Sequence, residues 1–130
     1  MVSVSGQKDM EAAQAECAGK KERSGLMDWM ELRGNRLVVR LPAELDHHQT
    51  EVIRLEVDRL VTEHPVDELE FDFSETVFMD SAGIGMLIGR YKVMHALGGT
   101  VRVIHMDGQI RRILSLSGVG KLIHLEEEAV

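Results

Sequence analysis

FMDSAGIGMLIGRYK, running from Phe78 to Lys92, decides how the rest of the chain is read. Asp80 follows a loop and precedes a helical pattern, which makes it a natural N-cap. Ser81 then stands at the first helical position with its hydroxyl at the surface. The helix behind it is expected from about Ser81 to Leu97, stopping at Gly98-Gly99. Ile84, Leu87, Ile88, Tyr91 and Met94 fall on one side and are read as core. Met86 and Val93 project on the other, beside Gly85, Gly89 and Ala96. Small residues there let another backbone approach, and an exposed methionine adapts to an apolar partner. A phosphate on Ser81 would meet the free N–H groups and the positive end of the helix dipole, so the fold would tolerate it. At an interface the same charge must be desolvated or must face the partner's own groups. The spacing also fits a plainer reading, in which Ser81 is an ordinary helix-start serine and the glycines permit tight helix–strand packing.

Working outward, LEFDF before this stretch alternates Leu69, Phe71 and Phe73 with Glu70 and Asp72, a strand pattern. From about His48 to Glu63, Val52, Ile53, Val57, Leu60 and Val61 share one side of a helix, with Leu55 off that face and Pro65 closing the region. Gly34-Asn35 is a two-residue hairpin turn, since both residues tolerate positive φ. It joins a strand around Met27–Arg33 to RLVVRL at Arg36–Leu41, which Pro42 ends. Downstream, Thr100–His105 reads as a strand. A helix over about Gln109–Ser117 turns Ile110, Ile113 and Leu114 inward and meets Gly118. Lys121–Leu125 forms a last strand before an acidic run, Glu126–Glu128, read as a solubilising tail. The order β-β-α-β-α-β-α-β predicts an α/β sandwich of sheet and helices with mixed strand directions.

Residues 1–24 are rich in Ala, Glu, Lys, Gly and Ser and are expected to form a flexible extension, with the folded domain at 25–130. Apolar residues make up 44% of the 130, enough for a core, while aromatic residues at 4% leave it to Leu, Ile, Val and Met. Twenty-two acidic against 15 basic residues give a formal charge of −7, which argues against non-specific binding to nucleic acid. The single cysteine, Cys17, has no partner for an internal disulfide, and no Cys/His spacing resembles a zinc site. No apolar run is long enough to cross a bilayer, and the first residues lack the apolar stretch of a signal peptide. The expectation is a soluble cytoplasmic protein with no metal and no cofactor.

From about Met27 to its end the chain resembles a STAS domain, and within that superfamily the sporulation anti-sigma factor antagonists of the stage II, sigma-F type. The resemblance is carried by ELDHH (Glu44–His48), FMDSAGIGMLIGRYK (Phe78–Lys92), GGTVRV (Gly98–Val103) and RRILSLSGVGKLI (Arg111–Ile123), four motifs in order. It implies a STAS fold, a mixed sheet of about four to five strands packed with three to four α-helices. It also implies a regulatory binding protein and not an enzyme. In that family the serine after the Asp of the D-S-x-G motif, here Ser81, is phosphorylated by the anti-sigma factor, which is itself a serine kinase. The unphosphorylated antagonist binds that kinase and frees a sporulation sigma factor, and a phosphatase resets the serine. The implied partner surface is Asp46, His47, His48, Asp80, Ser81, Ala82, Gly83, Gly85, Met86, Gly89, Arg90 and Val93. The free protein is expected to be a monomer without contact to nucleic acid or membrane. Ala82 departs from the pattern, since relatives often carry a second serine there, and the N-terminal extension is atypical.

Two other classes compete. A ligand- or nucleotide-sensing STAS module would use the anion-ready helix start at Ser81. A hydrolase would need a base held against Ser81 and an oxyanion hole, and D-S-A-G is no G-x-S-x-G elbow. Adjacent His47 and His48 point in different directions and lack further metal ligands, so Asp46 is read as a helix cap with the histidines partly solvated. Arg90, Lys92, Arg111 and Arg112 could be drawn together as a phosphate-binding patch, although most surface cations are simply solvated.

Overall fold

The structure, a computed structural model, describes residues 27–126. The described residues fall in two units, the first ending at Glu31 and the second beginning at Leu32. In the described part of the first unit, the Met30 N–H donates to the Met27 carbonyl at 3.0 Å, and β1 (Met30–Arg33) begins. The extension expected over residues 1–24, Cys17 included, lies outside the described residues, as do Glu127 and Glu128 of the acidic run.

Gly34 and Asn35 turn the chain from β1 into β2 (Arg36–Arg40), and a two-residue connection makes the pair antiparallel. Only Gly34 takes positive φ, at 62°, so the turn follows the pattern with glycine in first place and does not need Asn35 in the left-handed region. β4 (Glu68–Asp72) pairs parallel with β2, and β6 (Thr100–Ile104) pairs parallel with β4. β7 (His124–Leu125) pairs parallel with β6, which gives the sheet order β1-β2-β4-β6-β7. Two apolar rows cross the three central strands, Leu37–Leu69–Val101 and Val39–Phe71–Val103, and all six side chains are buried.

The opposite face carries charge. Arg36 Nε lies 2.9 Å from Glu68 Oε1, and Arg36 Nη1 lies 3.5 Å from Glu70 Oε1. Arg102, in register with Glu70, approaches both glutamates from β6. Glu70 therefore departs from simple alternation: it is buried within this lattice of opposite charges, while Asp72 stays half-buried.

Three α-helices follow the same opening. Asp46 caps α1 (His47–Glu63), Asp80 caps α2 (Ser81–Ala96) and Asp107 caps α3 (Gly108–Ser117), each carboxylate accepting a backbone N–H of its first turn. The stops differ. His64 before Pro65 ends α1 in extended backbone, whereas Gly98 after α2 and Gly118 after α3 take φ of 83°. A 3₁₀ turn at Val119–Lys121 replaces the first part of the strand expected from Lys121. On α1 the buried arc is Thr50, Ile53, Val57, Leu60 and Val61. Val52, expected in the core, is 43% exposed, because the arc is centred nearer Val57 and Thr50 takes its end.

Candidate functional site

Two very short strands escaped the sequence reading and organise the site. β3 (Glu44–Leu45) and β5 (Phe78–Met79) form a separate parallel pair, with Glu44 opposite Phe78 and Leu45 opposite Met79. The next residue in each segment is a cap, Asp46 and Asp80. The ladder therefore sets the starts of α1 and α2 side by side, and α1 packs against α2 along its length. Leu45 and Met79 point inward and are buried. Asp46 Oδ1 accepts from Gln49 N–H at 2.9 Å, and Asp80 Oδ1 accepts from Ala82 N–H at 2.9 Å. His47 and Ser81 then occupy matching first positions on the two helices, and both are exposed.

Gly83 explains why the D-S-A-G turn needs its glycine. A Cβ there would sit 2.5 Å from Met79 Cγ and 3.1 Å from Leu45 Cδ2, so the Met79 side chain or the helix would have to shift. Gly83, which the resemblance placed among the partner-surface residues, is buried in this packing. Gly85 and Gly89 are different. A Cβ at either would meet nothing within 4 Å. Each lowers intrinsic helix stability by about 1 kcal/mol relative to alanine, and the fold gains no close approach in return.

The expected phase of α2 needs correction. Its buried residues are Gly83, Met86, Leu87, Arg90 and Met94, while Ile84, Ile88 and Tyr91 are only half-buried. Met86, read as projecting outward, is 5% exposed. The reason is that α2 is contacted on two sides, by β6 of the sheet and by α1. Arg90, expected at the surface, is 6% exposed, with Nε 2.9 Å from Asp58 Oδ1 on α1. The distance is that of an ion pair, but the direction is poor: Asp58 Oδ1 and Arg90 Nε and Nη1 are shielded and make no hydrogen bond. Burial pulls the guanidinium down from its ordinary pKa, Asp58 works against that, and Arg54 adds to it. Arg111 donates to the backbone carbonyl of Glu126, so it and Arg90 are each engaged in their own places and do not act as one patch.

Between the helices, immediately behind Ser81, runs a groove of about 240 Å³. Ala82, Gly85, Met86, Gly89 and Arg90 line it from α2, and His47, Thr50, Glu51 and Arg54 from α1. The structure thus brings together His47, Ala82, Gly85, Met86, Gly89 and Arg90 of the expected surface, while Asp46, Asp80 and Ser81 are chain neighbours of the lining residues His47 and Ala82. His48 is exposed on α1 outside the lining, and Val93 lies further along α2, half-buried. Thr50, Glu51 and Arg54 were missed. Their spacing from His47, i+3, i+4 and i+7, puts all four on one helix face and was the available signal. Val77 and Phe78, 66% and 49% exposed just before the Asp80 cap, were also passed over.

A family model described as the STAS domain matches residues 29–129. The anti-sigma F factor antagonist of Paenibacillus polymyxa is 32% identical over 101 residues, covering 78% of this chain and 86% of that protein. The solved structure of the anti-sigma factor antagonist SpoIIAA in its unphosphorylated form superposes with a TM-score of 0.63 at 26% identity, over 77% of this chain and 87% of that one. The structure of the Bacillus cell fate determinant SpoIIAA in the phosphorylated form gives a TM-score of 0.62 at 29% identity, over 76% and 90%. With the family model matching 29–129, this chain belongs to the STAS domain family.

Proposed function

We propose that the chain is an anti-sigma factor antagonist whose unphosphorylated form binds an anti-sigma factor with serine kinase activity and so releases a sporulation sigma factor. Phosphorylation of Ser81 ends that binding, and a serine phosphatase restores it. The protein acts in the cytoplasm as a monomer and is a substrate of both enzymes, not an enzyme itself. Similarity to the Paenibacillus polymyxa antagonist and to SpoIIAA, solved in unphosphorylated and phosphorylated forms, supports the partner class.

The observation that carries the reading is Ser81, exposed at the first position of a helix capped by Asp80. A kinase can reach this hydroxyl without unfolding anything. Transfer forms the Oγ–P bond as the bond to the nucleotide's leaving phosphate breaks, and the hydroxyl proton departs to a base or to water. The new phosphoserine carries about two negative charges into the interface, where they must be desolvated or must face the partner's own groups. Within the antagonist itself the helix start accommodates the charge, so the fold stays intact.

Incubating the chain with its cognate anti-sigma factor and ATP, then mapping the product by mass spectrometry, tests the assignment. One phosphate on Ser81 is the expected product, and none on the Ser81→Ala variant, which should still bind. Phosphate only on Ser74, Ser115 or Ser117 would defeat the reading.

A further inference from the structure

The inference rests on the antagonist reading just given and concerns what the marked chain does with its own phosphate. We infer that the phosphate of phosphorylated Ser81 is held by the His47 side chain of α1, as a pair of imidazolium and phosphate dianion within one molecule. Three observations converge. The register of the short ladder sets Leu45 against Met79, so His47 and Ser81 are the first helical residues beyond matching caps. Helices in contact run about 8 to 10 Å apart, a span that an imidazole and a phosphoserine reaching from either side can close. His47 is exposed and lines the groove with Ala82 and Gly85, and its ring has no hydrogen-bond or ion-pair partner among the described residues. Gly85 lies one turn behind Ser81 on the same face of α2, and a Cβ there would meet nothing within 4 Å. The α2 surface between the two groups is therefore Ala82 and the bare backbone of Gly85.

The surrounding charges select His47. Each helix start offers N–H groups to an anion but already carries its cap, and Asp46 and Asp80 each accept a backbone N–H. Glu44 lies two residues before Asp46 on β3. A phosphate set among these carboxylates is opposed by all of them, and a cation beside it offsets that opposition. Of the groove's other cations, Arg54 is paired with Glu51 and Arg90 with Asp58. His48 is exposed on the same helix but stands outside the lining. The His47 imidazolium donates an N–H to a phosphate oxygen, and the proton that phosphoserine takes up near its second pKa of about 6 stays on the ring. The mark then keeps its full double charge into mildly acidic conditions.

The test uses the full-length chain with phosphoserine incorporated at Ser81 during synthesis, which removes any dependence on the kinase. Phosphorus NMR follows the titration of the phosphate in this chain and in its His47→Gln, His48→Gln and Arg54→Gln variants. An adjacent cation lowers the midpoint, so His47→Gln should raise it by about half a pH unit, the size of an exposed ion pair, and His48→Gln should leave it in place. Proton resonances of the His47 ring should also move more than those of His48 when the phosphate is present, a reading that needs no substitution. Circular dichroism checks the fold, and should His47→Gln disturb it, the ring resonances decide. An unmoved midpoint in folded His47→Gln would overturn the inference. So would ring resonances of His47 that move no more than those of His48, or a larger shift in Arg54→Gln, which would make the guanidinium the phosphate's partner. The two readings fail separately. Equal midpoints in a chain that the cognate anti-sigma factor does phosphorylate on Ser81 defeat only the pairing. A raised midpoint in His47→Gln of a chain that the anti-sigma factor neither binds nor marks supports the pairing and defeats the antagonist reading.

Discussion

α1 and α2 leave the same small ladder in parallel, each behind an aspartate cap, and they are filled in opposite ways. The outer arc of α1 is charged, with Glu51, Arg54, Glu56, Arg59 and Glu63 joined in pairs three or four residues apart. On α2 up to Gly89, by contrast, the positions that are not buried are Ser81, Ala82, Ile84, Gly85, Ile88 and Gly89, with Lys92 and His95 exposed only further along. A helix that faces only water gains from charge pairs and has no use for two glycines. α1 also exposes Val52 and Leu55 and shares in lining the groove, so the difference between the helices lies in two glycines that the chain's own packing does not require. It also separates glycines by their surroundings: Gly83 is required by the fold, and Gly85 is not.

The largest effect that can sharpen this contrast is a negative charge at each helix start. Ser81→Asp should weaken binding to the anti-sigma factor by more than a hundredfold, about 3 kcal/mol. His47→Asp, at the matching position of α1, should lose less than about tenfold. Equal losses in the two variants would erase the distinction between the helices. Next in size is the glycine pair. Gly83→Ala should destabilise the fold by about 1 to 2 kcal/mol, because its methyl group collides with Met79. Gly85→Ala should stabilise it by up to about 1 kcal/mol. Urea denaturation of both reads the opposite signs, and a shared sign would break the comparison.

The smallest expected effect lies away from both helices. His105 holds φ of 62° with its Nδ1 3.0 Å from Asp72 Oδ1. The hydrogen bond to Asp72 raises the imidazole above its ordinary pKa, and the charges of Asp72, Glu126 and Glu70 add to it. Burial alone would raise the Asp72 carboxyl, but hydrogen bonds from Ser74 and His105 outweigh it and hold it low. A raised histidine stabilises the fold fully below its unfolded pKa of about 6.5, and that contribution fades as pH climbs through the folded value. Parent and His105→Gln should therefore differ most below about pH 6 and converge in alkaline buffer. Since His105 is largely exposed, the difference should be small, and a gap that widens with pH would contradict the pairing.

The caps Asp46 and Asp80 were readable in advance because each is a polar residue placed directly before a helical pattern, and Ser81 followed from its cap; Asp107 carries the same signal before α3 and was passed over. The phase of α2 was not. Ile84, Met86, Leu87 and Ile88 point round the whole circumference, so periodicity gives no direction, and only the contacts with β6 and α1 decide which side is core. β3 and β5 hold two residues each, too few for alternation to register. The burial of Glu70 depended on arginines from two neighbouring strands that only the sheet register brings together. Val52 fell outside the core because it lies well round α1 from the arc centred near Val57, where Thr50 is buried with its hydroxyl donating to the His47 carbonyl.

The pairing of Glu44–Leu45 with Phe78–Met79 joins stretches far apart along the chain. The surface around Ser81 is thus assembled from pieces that meet only once the sheet and both helices are in place. A nascent or damaged copy would present the serine without its neighbours and would be a poor candidate for marking. On the proposed reading, the mark on Ser81 would be written on finished molecules, and copies not yet folded would go uncounted.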